Sequence, residues 1–148
     1  IDYMCNSHWN QDVKQFGTAN SYGIGTDEIP ECKVLLFELK ELVEKTIGFQ
    51  IEPINTYCRI YNKDAELSHH IDRNDVDATI SICLEKTFKE DYPLYSYDYD
   101  GTLHFKDIKV GDGMLIFNSH ELEHWREKLE CDKNDYAFYM FLLWKIKK

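Results

Sequence analysis

The feature that most restricts the fold of this chain is a two-residue rhythm that sets in at Asn55 and returns in short runs to the C-terminus. Successive side chains of a strand point to opposite faces, so such a rhythm marks a half-buried sheet. Over Asn55–Tyr61 it sets Tyr57, Arg59 and Tyr61 on one face and Cys58 and Ile60 on the other. Over Ala78–Leu84 it sets Ile80, Ile82 and Leu84 against Thr79, Ser81 and Cys83. Thr102–Phe105 and Met114–Phe117 read as strands on either side of the tight turn Gly111-Asp112-Gly113, and the apolar run Tyr136–Trp144 reads as a buried last strand. Asn62-Lys63-Asp64 is a turn leading into a further strand that contains His70. About seven or eight short strands at this cadence give a mainly β fold, a jelly roll or related sandwich with flanking α structure. Ten Tyr and eight Phe suit packed sheet faces of that kind.

Before the strands the pattern differs. Leu35, Leu36, Leu39, Leu42, Val43 and Ile47 recur at helical spacing, with Pro30 suited to a first turn and Gly48 to a stop. This predicts one helix covering a face of the sheet. Residues 1–29, polar and broken by Gly17, Gly23 and Gly25, read as irregular with room for a short strand. The charged, Tyr-rich segment Lys86–Asp100 reads as a loop able to cover a substrate. At 148 residues the chain is expected to be one domain, with an irregular segment and helix to residue 50 and a jelly-roll core over 51–148.

A net charge of −10 argues against a phosphate backbone as partner, so nucleic acid is not expected. No apolar run reaches the roughly 18 residues of a membrane span, and no membrane partner is expected. Five cysteines (Cys5, Cys32, Cys58, Cys83 and Cys131) lack C-x-x-C spacing and read as reduced structural thiols, which predicts an intracellular, cytoplasmic setting.

The chemistry concentrates in Glu66-Leu67-Ser68-His69-His70-Ile71-Asp72-Arg73. In an extended run His70 and Asp72 share a face, two metal ligands in want of a third, and His124 is the best candidate. Two His and one carboxylate with open coordination positions is the ligand set of non-haem Fe(II) oxygenases. By itself His-x-Asp is weak, because six His and fourteen Asp yield about half a match by chance. A rival is His120-Glu121-Leu122-Glu123-His124, the zinc-peptidase pattern His-Glu-x-x-His, expected by chance in only about a few chains per hundred. It works only on a helix, where the two imidazoles share a face and Glu121 acts on zinc-bound water. A non-catalytic jelly-roll binding module is a third reading.

Arg59-Ile60-Tyr61, the turn, Leu67, His70-Ile71-Asp72-Arg73, Gly111-Asp112 and His124-Trp125-Arg126-Glu127 together resemble the Fe(II)/2-oxoglutarate-dependent dioxygenases. Within that family the likeness is to the small prolyl-4-hydroxylase-like branch, over about residues 55–144. The resemblance implies a double-stranded β-helix with Fe(II) held by His70, Asp72 and His124, and 2-oxoglutarate and O2 as co-substrates. The activity it implies is hydroxylation of a substrate C–H bond, with a prolyl or other peptide side chain or a small molecule as substrate. It also implies a cation for the distal carboxylate of 2-oxoglutarate, which the family usually carries on the strand after the second His. Here the run Tyr136–Trp144 holds neither Arg nor Lys. Arg126 and Lys133 are equal first choices for that cation, Arg59 is a third, and Tyr61 is expected to line the cofactor pocket through its hydroxyl. His69 should face away from the metal, and Trp125 should belong to the core.

Overall fold

The computed structural model of the chain describes residues 23–26, as backbone, and 29–148. The elements in order are β1 (Gly23–Thr26), α1 (Pro30–Glu38), α2 (Lys40–Ile47), β2 (Ile51–Asn62), β3 (Leu67–His70), β4 (Ala78–Lys86), β5 (Leu94–Tyr97), β6 (Leu103–Lys106), β7 (Gly113–Phe117), β8 (His124–Arg126) and β9 (Tyr136–Ile146). They build two antiparallel sheets. The larger runs β1-β2-β9-β4-β7 and the smaller β3-β8-β5-β6. The mainly β, jelly-roll architecture read from the strand cadence is the one observed.

The two faces of the larger sheet bury different things. Cys58, Ile60, Ile80, Phe138, Met140, Leu142 and Trp144 point away from the smaller sheet and meet Ile29, Cys32, Leu36 and Val43 of the helical layer. Trp144 Nε1 donates to the Leu36 carbonyl at 3.1 Å, which ties α1 to β9. The opposite face, with Tyr61, Cys83, Ala137 and Tyr139, packs toward the smaller sheet and its loops. The apolar core is therefore divided between two clusters, one under the helices and one between the larger sheet and the smaller sheet with its loops. The rest of the space between the sheets, lined by the aromatic and polar half of each alternation, is left for chemistry.

Several expectations need correction. The single helix is two, interrupted at Leu39 (φ −81°, ψ −9°). The break turns the second segment so that Val43 is buried while Leu42 is 60% exposed. Gly48 ends it in the left-handed region (φ 79°), donating to the Glu44 carbonyl, a conformation glycine adopts without a Cβ penalty. Segment 86–100 is not all loop. After Pro93 it forms β5, with Leu94 and Ser96 turned inward and Tyr95 and Tyr97 outward. Four residues alternating among tyrosines gave the rhythm too little length to stand out. The expected short strand before residue 29 is β1, while the rest of the segment read as irregular, residues 1–22 and 27–28, lies outside the described residues. The cysteines Cys32, Cys58, Cys83 and Cys131 are free, with Cys5 outside the described residues. No helix among the described residues is long and apolar enough to cross a membrane.

Candidate active site

His70 closes β3 and His124 opens β8, and the antiparallel pairing sets the two residues opposite each other. Their rings are 4.3 Å apart between centroids. The register conceals an irregularity. Leu67 pairs with Arg126 and His70 with His124, so β3 carries one more residue than β8 over the same span. This bulge resets the alternation. Leu67 and His70 both face inward, whereas His69 is sent to the outer face, stacked on Trp125 at 3.9 Å. His69 thus faces away from the site, and Trp125, 5% exposed, is packed between His69 and Tyr95.

Asp72 follows two residues after the strand end. Its N–H donates to the Ser119 carbonyl at 2.9 Å, fixing its backbone beside the turn that precedes β8. One carboxylate oxygen, Oδ1, lies 3.6 Å from Nε2 of both His70 and His124. The other, Oδ2, accepts a 2.7 Å bond from the Thr79 hydroxyl. Ser119 Oγ, 3.2 Å from Thr79 Oγ1, completes the chain of hydroxyls, donating to Thr79 as Thr79 donates to Asp72. Burial pushes the Asp72 carboxyl up, but the two imidazoles and Thr79 outweigh it and hold the group well below the usual carboxylate range. It is a carboxylate at neutral pH.

The tautomer of each neutral imidazole follows from its second nitrogen. His70 Nδ1 lies 2.9 Å from the Ser68 carbonyl and His124 Nδ1 lies 2.9 Å from the Leu122 carbonyl. A carbonyl has no proton to give, so each Nδ1 is the donor, and in the neutral tautomer this selects it is Nε2 that carries the lone pair for a metal. Two such lone pairs and a carboxylate oxygen converge within 4.8 Å of one another, the grouping suited to one divalent cation. With both remaining imidazole nitrogens and Oδ2 hydrogen-bonded, the donor set fits Fe(II), and one side of it is open.

That open side is a cavity of about 480 Å³ between the sheets. Asn55, Tyr57, Arg59 and Tyr61 of β2 form one wall, Thr79 and Ser81 of β4 and Phe141 and Leu143 of β9 another, and His70, Ile71, Asp72, Arg73 and His124 surround its metal end. Arg59 and Arg126 are both buried, 2% and 1% exposed. Arg126 is committed to the protein. It donates to the Tyr92 carbonyl at 2.7 Å and to Ser81 Oγ at 3.3 Å, and its guanidinium covers the Tyr139 ring at 3.9 Å. Arg59 donates from Nη2 to the Tyr57 hydroxyl at 3.2 Å, and its Nη1 is buried without a partner. The Tyr61 hydroxyl is likewise buried and unpartnered, and burial raises its pKa, keeping it a phenol.

Lys133 is not brought to the cavity. It is exposed on the connection between β8 and β9, because the last strand starts only at Tyr136. The zinc-peptidase geometry is also absent. Residues 118–122 form a turn and His124 belongs to a strand, so His120 and His124 share no helix face. His120 instead donates through Nδ1 to the Val76 carbonyl at 2.9 Å. Residues that the sequence reading did not single out include Thr79, Ser81 and Ser119. The first two carried a readable signal, polar residues on the face of β4 opposite Ile80 and Ile82. Ser119 carried none, since only the turn geometry brings it to Asp72.

No protein-family model and no curated protein matches the sequence. Solved structures do match the fold. The chain is similar to a Pseudomonas putida prolyl-4-hydroxylase at 14% identity, over 99% of this chain and 81% of that one, with a TM-score of 0.72. It is similar to the viral collagen prolyl hydroxylase of Paramecium Bursaria Chlorella virus-1 in its 2-oxoglutarate complex, at 12% identity over 99% and 89%, TM-score 0.68. HygX of Streptomyces hygroscopicus, with nickel and 2-oxoglutarate bound, matches at 11% identity over 98% and 76%, TM-score 0.70. The chain therefore has the double-stranded β-helix fold of the Fe(II)/2-oxoglutarate-dependent oxygenases.

Proposed function

We propose that this chain is an Fe(II)- and 2-oxoglutarate-dependent dioxygenase that hydroxylates a C–H bond, with a prolyl or other peptide side chain as the leading substrate class. The observation that carries the reading is the convergence of His70 Nε2, His124 Nε2 and Asp72 Oδ1 at the mouth of a cavity. When bound there, Fe(II) with 2-oxoglutarate supplies oxidative decarboxylation to succinate and CO2 coupled to insertion of one oxygen atom into the substrate.

The chain's own residues bind, orient and exclude. Ser68 and Leu122 fix the imidazole tautomers through their carbonyls, and Thr79 turns Oδ1 of Asp72 toward the histidines by holding Oδ2. Tyr57, Tyr61, Phe141 and Leu143 line the cavity beyond and limit water inside it. Buried cations deeper between the sheets suit an anionic co-substrate rather than a nucleic acid, in keeping with the net charge of −10. Among the similar proteins one is described as a collagen prolyl hydroxylase and another was solved with hygromycin B bound, so peptide and small-molecule substrates both belong in the screen.

The test is conversion of 2-oxoglutarate to succinate by the purified protein supplied with Fe(II). Asp72→Ala is expected to lose metal binding and turnover together, whereas Glu121→Ala should leave both within about twofold. Unchanged turnover in Asp72→Ala would end the proposal. A protein that takes up no metal would instead support the non-catalytic binding module.

A further inference from the structure

Taking the dioxygenase reading as its basis, we infer that Arg59 of β2 is the anchor for the distal carboxylate of the 2-oxo acid, a duty moved from the last strand to the strand beside it. Three observations converge on it. The first is an electrostatic deficit. A guanidinium is always charged, and burying it without an anion is costly. Among the described residues Arg59 forms no ion pair; its partners are the Tyr57 hydroxyl and the Tyr57 and Tyr61 ring faces. Its Nη1 is a buried donor with nothing to donate to. A carboxylate from solution would remove both defects at once.

The second is position. Arg59 lines the same cavity as His70, Asp72 and His124 and points from the same face of β2 as Tyr57 and Tyr61. The ladder pairs Arg59 with Tyr139 of β9. β9 has no cation facing the cavity; Tyr139 and Phe141 stand on that side instead. Moving a guanidinium across one ladder step displaces its Cα by only about 5 Å, which a side chain of this length can bridge. The third is elimination. Lys133 is exposed outside the cavity, and Arg126, although its Nε also lacks a partner, gives Nη1 to Tyr92 and Nη2 to Ser81 while stacked on Tyr139 and, unlike Arg59, does not line the cavity. Arg126 is thereby a packing and positioning residue that adds positive charge behind Tyr61. The unpartnered Tyr61 hydroxyl supplies a second donor for the same carboxylate.

The experiment compares two 2-oxo acids that chelate a metal alike and differ in the distal carboxylate, namely 2-oxoglutarate and pyruvate. Binding is followed without oxygen, by the visible absorption that develops when a 2-oxo acid chelates protein-bound Fe(II) and by calorimetry with Mn(II). The unaltered protein should prefer 2-oxoglutarate by about 100-fold or more, the contribution of a bidentate charged pair. Arg59→Gln should abolish that preference, leaving Mn(II) and pyruvate affinities within about twofold. Arg59→Lys, which keeps a point charge and fills the space, should recover part of it and remains informative if the Gln variant folds poorly. Retained discrimination in Arg59→Gln, or its loss in Arg126→Met with Arg59 intact, would overturn the assignment. Should the unaltered protein bind Mn(II) but neither 2-oxo acid, the dioxygenase reading itself would fall, a result distinguishable from failure of Arg59 alone.

Discussion

At the scale of single residues, the metal end of the cavity depends on groups that do not themselves face the ion. Thr79 is the clearest case, because its hydroxyl occupies the one carboxylate oxygen that the histidines leave free. Thr79→Val keeps the shape of a β-branched strand residue but removes that donor and strands Ser119. We expect the fold to persist and metal affinity to fall about 10–100-fold, the usual consequence of losing a partner of a ligating group. Titration with Mn(II), compared with the thermal midpoint of the metal-free protein, separates the two effects. Unchanged affinity would mean that Asp72 needs no orientation. His69 makes the opposite point, for it adjoins a ligand in sequence yet stacks on Trp125. His69→Phe should preserve metal binding to within about twofold, since it keeps a flat ring over the indole.

At the scale of elements, two devices hold the smaller sheet in register. One is the bulge in β3, which alone decides whether His70 or His69 faces the cavity. Deleting Ser68 is expected to leave three residues opposite three with Leu67 and His70 still on one face, so Mn(II) binding should survive, weakened about 10–100-fold by loss of the Ser68 carbonyl that holds His70 Nδ1. The other is a charge cluster, with the Lys86 and Asp107 side chains buried and Lys109 exposed, joining the end of β4 to the segment after β6. Asp107 accepts from the Tyr92 N–H at 2.9 Å and pairs with Lys86 at 3.4 Å and Lys109 at 2.6 Å. Burial raises the Asp107 pKa, but these partners prevail and bring it to about 2. The unfolded value is about 3.9. A folded pKa below the unfolded one adds stability that is present above about pH 4 and is lost as pH falls toward 2. Asp107→Asn should flatten that part of a urea-denaturation profile against pH, with little change in its shape above pH 5.

For the whole molecule, the division of labour between the two faces of the larger sheet matters most. The outer face carries the helices and one apolar cluster, and the inner face carries a second apolar cluster and the site. The two should therefore respond separately to substitution. Phe138→Ala, at a fully buried position behind the sheet, is expected to cost about 3–5 kcal/mol in chemical denaturation. Short of unfolding the protein, it should leave Mn(II) affinity nearly unchanged. Coupled loss of affinity at temperatures where the variant is folded would show that the core also tunes the site.

The sequence by itself determined the alternation of β2, β4, β7 and β9, the turns between them, and the three side chains most suited to a metal, because periodicity and donor chemistry are local properties. It also exposed the lack of Arg or Lys over Tyr136–Trp144 as an anomaly. Tertiary structure decided what depended on pairing and depth. A bulge invisible in the residue pattern aimed His70, a surface connection removed Lys133, and the packing of Arg126 on Tyr139 outside the cavity left Arg59 as the buried guanidinium that lines it with a donor to spare. The physical reason is that burial and hydrogen-bond satisfaction are properties of several segments at once, which no single stretch of chain carries.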